Sequence, residues 1–588
     1  MPKAAGSYAD ALEAVGLADL VASLASDSAA KVSIADDGAR YRVTISPPLD
    51  EEEVRSTPVG PGYDYFLVKA PDRNAPAAGR VFDYPGQRAI EQTYIRAMAL
   101  QKKSGKKKRI TPPPEGSADA PSPTLALFKA FNSMRMTSNA YNDLHRALRD
   151  TPGLASIALA RLREYGAPEG RAARSPASGS EKALEKAAAN LQFFNPATGK
   201  GTNRPKPDST SVNSLPGQLV DWFAEWMKFR AMSRAMLACP ADKDYKIMVL
   251  APAQIDYQAL CVLHDGLLGQ RMWGNLQLEI RAILTLAGLI IRNSKEFAGE
   301  GGTVIIARRT PRDIVRGLHV AHFKSLGNAR AVMNVSFLGV PGWFAIADRG
   351  DAEAWLSSLQ EHESWTRTMR EDHSDDVPLL QLCRDFISNG GLEHALAFYS
   401  AWSADLMGRL NRDGPPPWLF SESMLRRVFM TYSDQEKPLA EILESEGFQR
   451  LTWAVRNATV TAQTHKADRK PWPFTARYGM AQEWKRKARY RDDFVLALAD
   501  FVQGYNADIV RDLERHRTDS VLAKGLSGKP TAEGAFIHKA ISEQHLADVI
   551  RLIDTRGSRL VAQLLLAFGY SRPAPRETKG DRSGESEE

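Results

Sequence analysis

Basic side chains and aromatic rings alternate over residues 456–491, a combination that could bind nucleic acid. This stretch holds ten Lys or Arg residues against two acidic ones, Asp468 and Glu483. Lysine and arginine neutralise phosphates, while aromatic faces stack on unpaired bases. The candidate contacts are Arg456, Arg477, Lys485, Arg486, Lys487 and Arg489, and the interleaved rings are Trp472, Phe474, Tyr478, Trp484 and Tyr490. The alternative is a solvated basic helix whose aromatic residues simply pack the core.

Two further groups of cations could contact phosphate. The run QKKSGKKKR, residues 101–109, has six positive charges and no acid, which favours a mobile arm with Lys106, Lys107, Lys108 and Arg109 as contacts. A localisation signal or a generic sticky loop would have the same composition. Arg308 and Arg309 lie at a predicted strand-to-helix junction, where helix amides could also hold a phosphate. The alternative there is solvated surface arginines.

Motifs for catalysis are poorly represented. There is no GxxxxGK[ST] loop, GxSxG elbow or HExxH pair, and ATGKGT lacks the leading glycine of a phosphate loop. His264 and Asp265 resemble one fragment of a metal-dependent phosphohydrolase site, but a polar turn is the simpler interpretation. His319 and His322 are spaced for one helix face and are interpreted as core or surface histidines. We therefore expect no enzyme activity, no metal site and no cofactor.

Composition sets broad limits on the class of protein. A chain of 588 residues with 43% apolar and 25% charged residues is expected to form two to four soluble domains. Its net charge of +7 is a mild excess, concentrated in the basic runs above. The three cysteines, Cys239, Cys261 and Cys383, form no CxxC pair and are expected to be buried thiols. No apolar window is long enough for a membrane span, so a cytoplasmic protein is expected by default.

Hydrophobic periodicity predicts an α+β protein that is mostly helical. Residues 7–26 are predicted to form an amphipathic helix, and KVSIADDGARYRVTIS a hairpin turning at Asp37-Gly38. KIMVLAP, GTVIIARR and VMNVSFL are predicted strands, whereas almost every segment from Ala352 to Gly569 has helical periodicity. The predicted domains are an N-terminal α/β domain (1–115), a central mixed domain (116–350), a helical connecting region (351–440), a C-terminal helical bundle (441–572) and a disordered tail (573–588).

An ordered series of phrases resembles one known family. QFFNPATGKGTNRPK leads into VDWFAEWMKF, and EGFQRLTWAVRNATVTAQ, ARYGMAQEWKRKARY, FVQGYNADIVR and DVIRLIDTRGSRLVAQLLLAFGYSR follow. Over about residues 190–572 the series is similar to the large subunit of type I CRISPR Cascade surveillance complexes, in its subtype A/B-like or myxobacterial branch. The order and spacing of these phrases carry the resemblance, because none is diagnostic alone.

The resemblance implies a non-catalytic subunit of an RNA-guided DNA-binding complex. Such a subunit lies at the 5′ end of the guide crRNA, reads the protospacer-adjacent motif in target double-stranded DNA, helps to open the duplex and recruits a separate helicase-nuclease. The implied partners are the guide, the target, the helicase-nuclease and the backbone, 5′-end cap and small subunits, with no membrane. Base pairing then reads sequence while protein supplies motif contacts and backbone charge.

The same resemblance gives the loop at residues 190–214 a role. Its asparagine and basic side chains, with glycines that allow close backbone approach, become candidates for contact with guide RNA or with DNA near the motif. These candidates are Asn195, Lys200, Asn203, Arg204 and Lys206. A surface loop anchored by Phe193 and Phe194 is the alternative. For the whole chain, the competing functions are a metal-dependent nuclease using His264 and Asp265, and a structural protein whose basic surfaces meet acidic proteins.

Overall fold

The computed structural model describes most of the chain, in two compact units that divide between Glu353 and Ala354. The described residues are 1–3, 6–25, 29–76, 80–103, 120–133, 135–167, 179–188, 194, 221–326, 330–412, 417–432, 439–469, 472–523 and 540–573. Among their helices, none combines the length and the apolar character that crossing a membrane requires.

In the first unit, Met1–Glu353, the described residues form helices and three small sheets. Its helices are α1 (Tyr8–Leu24), α2 (Glu51–Ser56), α3 (Tyr84–Lys103), α4 (Leu125–Asn132), α5 (Arg135–Asp150), α6 (Leu154–Gly166), α7 (Glu181–Ala187), α8 (Trp222–Ala235), α9 (Tyr257–Leu268), α10 (Leu276–Arg292) and α11 (Lys295–Ala298). Its strands are β1 (Lys31–Asp36), β2 (Tyr41–Ser46), β3 (Tyr65–Leu67), β4 (Val81–Asp83), β5 (Met236–Ala241), β6 (Asp244–Pro252), β7 (Gln254–Asp256), β8 (Val315–Ser325) and β9 (Arg330–Gly339).

Sheet topology joins distant parts of the first unit. An antiparallel sheet of order β2-β1-β7 places the N-terminal hairpin beside β7, and a second antiparallel sheet has the order β5-β6-β8-β9. Strands β3 and β4 form a short parallel pair. The regions predicted as separate N-terminal and central domains therefore share one sheet.

Helix α1 lies at the centre of this unit. It was expected to be amphipathic, but 15 of its 17 residues are buried, because it packs closely on α8 as well as on β1, β2 and β6. Its buried acids have partners: the Asp19 carboxylate pairs with Arg230 at 2.7 Å, and Glu13 accepts a hydrogen bond from the Tyr165 hydroxyl at 2.9 Å. Burial of these charges is tolerable only because they are paired.

The second unit, Ala354–Glu588, is helical in all its described elements apart from short connections. Its helices are α12 (Arg349–Thr368, which contains the division), α13 (Asp376–Asn389), α14 (Leu392–Leu410), α15 (Glu422–Met430), α16 (Leu439–Glu444), α17 (Glu446–Arg456), a π-helical turn (Asn457–Thr461), α18 (Ala462–Ala467), α19 (Met480–Lys487), α20 (Arg491–Ala523), α21 (Glu543–Arg556) and α22 (Ser558–Gly569). Helices α14, α17 and α21 surround α22. The region predicted as a connection, 351–440, therefore contributes α14 to the same core.

The predicted fold class, a mostly helical α+β protein, is confirmed. The helix at 7–26 and the hairpin at Asp37-Gly38 are also present, the latter as β1 and β2 in antiparallel register. Two local predictions are wrong. GTVIIARR contributes only an isolated bridge at Val304, and GLHVAHF is part of β8 instead of a helix. In a strand, His319 and His322 point to opposite faces, since three residues is an odd spacing.

Candidate nucleic-acid interface

Helix α19 presents a basic face because its apolar residues are used for packing. Trp484 is 1% exposed and its ring contacts those of Phe494 and Phe501 on α20. With Met480 and Ala481 also buried, Lys485 and Arg486 point away from the core. The last turn of α19 holds three cations, Lys485, Arg486 and Lys487, and positive charge is favourable at this negative end of the helix dipole.

Three of the predicted cations are exposed together. Lys485 and Arg486 occupy the last turn of α19, and Arg489 lies in the short turn before α20. None of the three makes an ion pair with any residue that the structure describes. Unpaired, solvated cations at one helix end are suited to neutralising phosphates.

Neighbouring cations are already neutralised. The Lys487 ammonium lies 2.8 Å from the Glu483 carboxylate, one helical turn away. Arg491 donates to the Asp554 carboxylate at 2.6 Å, a contact that raises the pKa of Arg491 and lowers the pKa of Asp554. These residues contribute less charge to a ligand than the sequence count suggests.

Tertiary packing adds a cation that sequence inspection missed. The Ser558 hydroxyl donates to the backbone carbonyl of Ala488 at 2.9 Å, so the start of α22 lies beside the end of α19. The next residue, Arg559, is exposed and makes no ion pair with a described residue. No local signal in DTRGSRL could have placed Arg559 next to a segment about seventy positions earlier. We call Lys485, Arg486, Arg489 and Arg559, with Tyr490, the α19 surface.

The five interleaved rings differ in their exposure to solvent. Tyr490 is 70% exposed beside Arg489, and is therefore available for stacking. Phe474 is buried and stacks on Tyr505 with centroids 4.4 Å apart, and Trp484 is also in the core. The remaining two rings are engaged locally: Trp472 stacks on His465, and Tyr478, although 40% exposed, donates through its hydroxyl to Gln463 at 2.6 Å and has the Lys466 ammonium 5.3 Å from its ring centre. Most of the interleaved rings thus pack the core or hold local contacts, as the alternative interpretation proposed.

Arg456 is a structural residue, which corrects its prediction as a phosphate contact. Its guanidinium is buried and donates to the backbone carbonyl of Ser571 at 2.7 Å, to that of Phe568 at 3.0 Å and to the Glu422 carboxylate at 2.7 Å. These contacts connect α17 to the end of α22 and the start of α15. A guanidinium held on this many internal acceptors is not presented to a ligand.

The exposure of Arg477 lies between that of the buried Arg456 and that of the exposed cations of the α19 surface. Its guanidinium lies 5.2 Å from the centre of the Phe501 ring and 4.0 Å from the Asp508 carboxylate, and its side chain is 30% exposed. The backbone amide of Arg477 donates to Ala458 at 2.8 Å. Packing accounts for most of its surface, so we leave Arg477 out of the α19 surface.

In the first unit, Arg308 and Arg309 lie in a tight turn instead of the predicted strand-to-helix junction. Ala307 and Arg308 have φ of 47° and 63°, and the Arg309 amide donates back to Ile306 at 2.9 Å. The helix that follows is a single 3₁₀ turn, Pro311–Asp313. Its start is already capped, because the Asp313 carboxylate accepts from the Thr310 amide at 2.9 Å. The predicted phosphate site on helix amides is therefore wrong, although Arg308 is exposed.

Two sets of predicted contacts lie outside the described residues and are neither supported nor contradicted. They are Asn195, Lys200, Asn203, Arg204 and Lys206 of the Asn/Gly/Lys loop, and Lys106, Lys107, Lys108 and Arg109 of the basic run.

The residues of the competing nuclease hypothesis do not form a metal site. His264 is fully buried in α9, and its Nε2 lies 3.1 Å from the Met236 carbonyl, an acceptor that requires Nε2 to carry a proton. Among the described residues, no group of three or more His, Cys, Asp or Glu side chains is arranged to hold a metal ion. All three cysteines are unpaired; Cys239 and Cys383 are buried, and burial raises the pKa of Cys239 to about 12, whereas Cys261 is half-buried.

Comparison with known proteins adds no family assignment: no protein-family model matches this chain, and no curated protein matches it either.

Proposed function

We propose that this protein binds nucleic acid through the α19 surface. The observation that carries the proposal is the exposure of Lys485, Arg486 and Arg489 without ion pairs among the described residues. The exposed Tyr490 ring adjoins them, and Arg559 adds a further cation through the packing of α22. Cations neutralise phosphates while an exposed ring stacks on a base, so this group suits a strand with accessible bases.

More particularly, we propose that the protein is the non-catalytic large subunit of a type I CRISPR RNA-guided DNA surveillance complex. In that role it binds guide RNA and target DNA, reads the protospacer-adjacent motif and recruits the helicase-nuclease. The ordered series of phrases over about residues 190–572 supports this assignment. The α19 surface supports it further, since such a subunit must hold nucleic-acid backbone without cleaving it.

The test of the α19 surface is the salt dependence of nucleic-acid binding. A triple variant, Lys485→Gln, Arg486→Gln and Arg489→Gln, is compared with the unmodified protein by fluorescence anisotropy, using labelled single-stranded and duplex DNA at several salt concentrations. If all three cations contact phosphates, the slope of log K against log salt decreases in magnitude by about two to three units.

Tyr490→Ala is expected to weaken single-strand binding by about 1–3 kcal/mol, with little effect on duplex.

The matched control neutralises three arginines of the same unit that already have acidic partners. Arg367, Arg370 and Arg384 pair with Glu363, Asp372 and Asp385, respectively. Their replacement by glutamine removes the same charge, but is expected to leave the salt slope unchanged. Equal slopes for the unmodified protein and the α19 triple variant would refute the α19 surface as the contact.

A further inference from the structure

The three-stranded sheet of the first unit has one polar face that forms the floor of a groove. Cross-strand partners share a face, so Thr44, Ser33 and Asp256 form one row across β2, β1 and β7. Arg42, Ala35 and Gln254 form the next row. In these two rows the central strand contributes only small side chains, Ser33 and Ala35, which leaves a groove of about 370 Å³ above them. This volume is at the lower end of the range for small-molecule sites.

The wall of this groove belongs to the segment 303–309, whose conformation is held by the Glu296 carboxylate and by backbone hydrogen bonds to Ile346. Ala307 and Arg308 both have positive φ, which costs roughly 1–3 kcal/mol per non-glycine residue. The Glu296 carboxylate accepts hydrogen bonds from the amides of Ile306 at 3.2 Å and Ala307 at 2.8 Å. Backbone bonds to Ile346 fix the far side of the turn. Such strain persists only where surrounding contacts determine it, so the wall is preformed.

Arg309 connects this wall to the floor. Its guanidinium donates to the backbone carbonyls of Ile305 at 2.5 Å and Ile306 at 3.1 Å, and to the Gln254 side-chain oxygen at 3.2 Å. A guanidinium has five N–H donors, so two are left for a ligand. Across the groove, Arg42 is exposed and makes one described contact, 3.2 Å from Asp37. One row of the groove thus has a cation at each end.

The neighbouring row holds an acidic side chain and two hydroxyls instead of cations. Asp256 precedes α9 and is exposed, but its carboxylate makes no capping bond to that helix and has no hydrogen-bond partner among the described residues. The hydroxyls of Ser33 and Thr44 lie in the same row. Successive rows on one face are about 7 Å apart. A matching ligand therefore has an anionic group and, a short distance away, hydrogen-bond donors.

We propose that this groove binds one nucleotide. The phosphate lies between Arg42 and Arg309, a hydroxyl or amino group of the sugar or base donates to Asp256, and the flat base covers Ser33 and Ala35. The nucleotide is either a free nucleoside monophosphate or the 5′-phosphorylated end of a strand. This inference does not depend on the α19 surface, because every residue that carries it belongs to the first unit.

The experiment is calorimetric titration of the full-length protein with AMP, GMP, CMP and UMP, and with the matching nucleosides and inorganic phosphate. Saturable binding of at least one nucleotide is expected, with its nucleoside and phosphate alone at least tenfold weaker. Arg42→Ala removes a phosphate partner, and Ala35→Leu fills the floor from a solvent-facing position; each is expected to weaken binding at least tenfold.

A 5′-phosphorylated tetranucleotide that binds more tightly than the free nucleotide identifies a strand end as the ligand, and the reverse order identifies the free nucleotide.

The control is Arg40→Ala, which removes an exposed arginine two positions away that does not line the groove. It is expected to retain nucleotide binding, as is the α19 triple variant, so that failure of one proposal is distinguishable from failure of the other. Absence of saturable binding by the unmodified protein at millimolar nucleotide overturns the inference. So does an equal loss in Arg40→Ala and Arg42→Ala.

Discussion

Arg456 and Arg486 carry the same guanidinium group in the same basic stretch, but their surroundings give them different roles. Arg456 is buried on backbone carbonyls and the Glu422 carboxylate, whereas Arg486 projects into solvent. The cost of removing a charge depends on what that charge satisfies, since an acceptor left unpaired in the interior keeps its full desolvation penalty. At the scale of single residues, exposure distinguishes stability from binding.

Arg456→Met is therefore expected to lower the free energy of unfolding by about 2–4 kcal/mol, because it leaves internal carbonyls and Glu422 without their donor. Urea denaturation followed by circular dichroism measures this change. Arg486→Met is the matched variant and is expected to remain within about 0.5 kcal/mol of the unmodified protein. A stable Arg456→Met protein with a reduced salt slope would contradict the structural role assigned here.

At the scale of elements, close approach of two helices depends on a residue without a side chain. A Cβ atom added to Gly16 of α1 would lie 1.8 Å from the backbone carbonyl oxygen of Met227 on α8. Backbone atoms cannot rotate away as a flexible side chain can. This contact therefore determines how closely the central helix α1 packs on α8.

The Gly16→Ala variant is expected to destabilise the first unit by about 3 kcal/mol, at the upper end of the usual overpacking cost, because the helices must separate. Thermal denaturation followed by circular dichroism tests this expectation. Gly408 of α14 is the control: it lies inside a helix, and an added Cβ meets no atom within 4 Å. Gly408→Ala should raise stability by about 0.5–1 kcal/mol. If both alanine variants have the same stability, the close α1–α8 contact is not limiting.

At the scale of the whole molecule, both units contain histidines kept neutral by burial. Burial lowers the pKa of His145 and His319 in the first unit, and of His362 in the second, to about 4 from an ordinary value of 6.5. His362 is 1% exposed, and its burial outweighs the hydrogen bond from Nδ1 to the Ser358 carbonyl at 2.7 Å, which by itself favours the protonated ring. Because a carbonyl oxygen can only accept, Nδ1 carries the proton of the neutral ring.

Stability is therefore expected to fall as pH decreases below about 6.5. Between pH 6.5 and 4 the unfolded chain binds protons that the folded chain does not, and the linkage relation then makes the free energy of unfolding decrease towards acid. Urea midpoints at pH 7 and pH 5 measure the effect. His362→Gln removes one titrating group and should show a smaller difference between the two pH values. Equal midpoints for the unmodified protein would contradict this account.

Much of the local structure follows from short-range pattern. The helix at 7–26 and the hairpin at Asp37-Gly38 were predictable, because periodicity and turn chemistry act within a few residues. Predictions were wrong where long-range pairing dominated: GLHVAHF is a strand because β6 and β9 bond to it on both sides. For the same reason, α1 is buried almost all round.

The candidate sites likewise combine features that are visible in the sequence with features that depend on long-range packing. The concentration of cations, including Lys485, Arg486 and Arg489, was visible in the sequence because charge is a property of composition. Three-dimensional packing was needed to show that Arg456, Phe474 and Trp484 belong to the core. It also brings the helix that holds Arg559 beside α19, and it places Arg42 and Arg309 along one groove. Burial and ion pairing arise from contacts between residues far apart in the chain, and no local spacing encodes them.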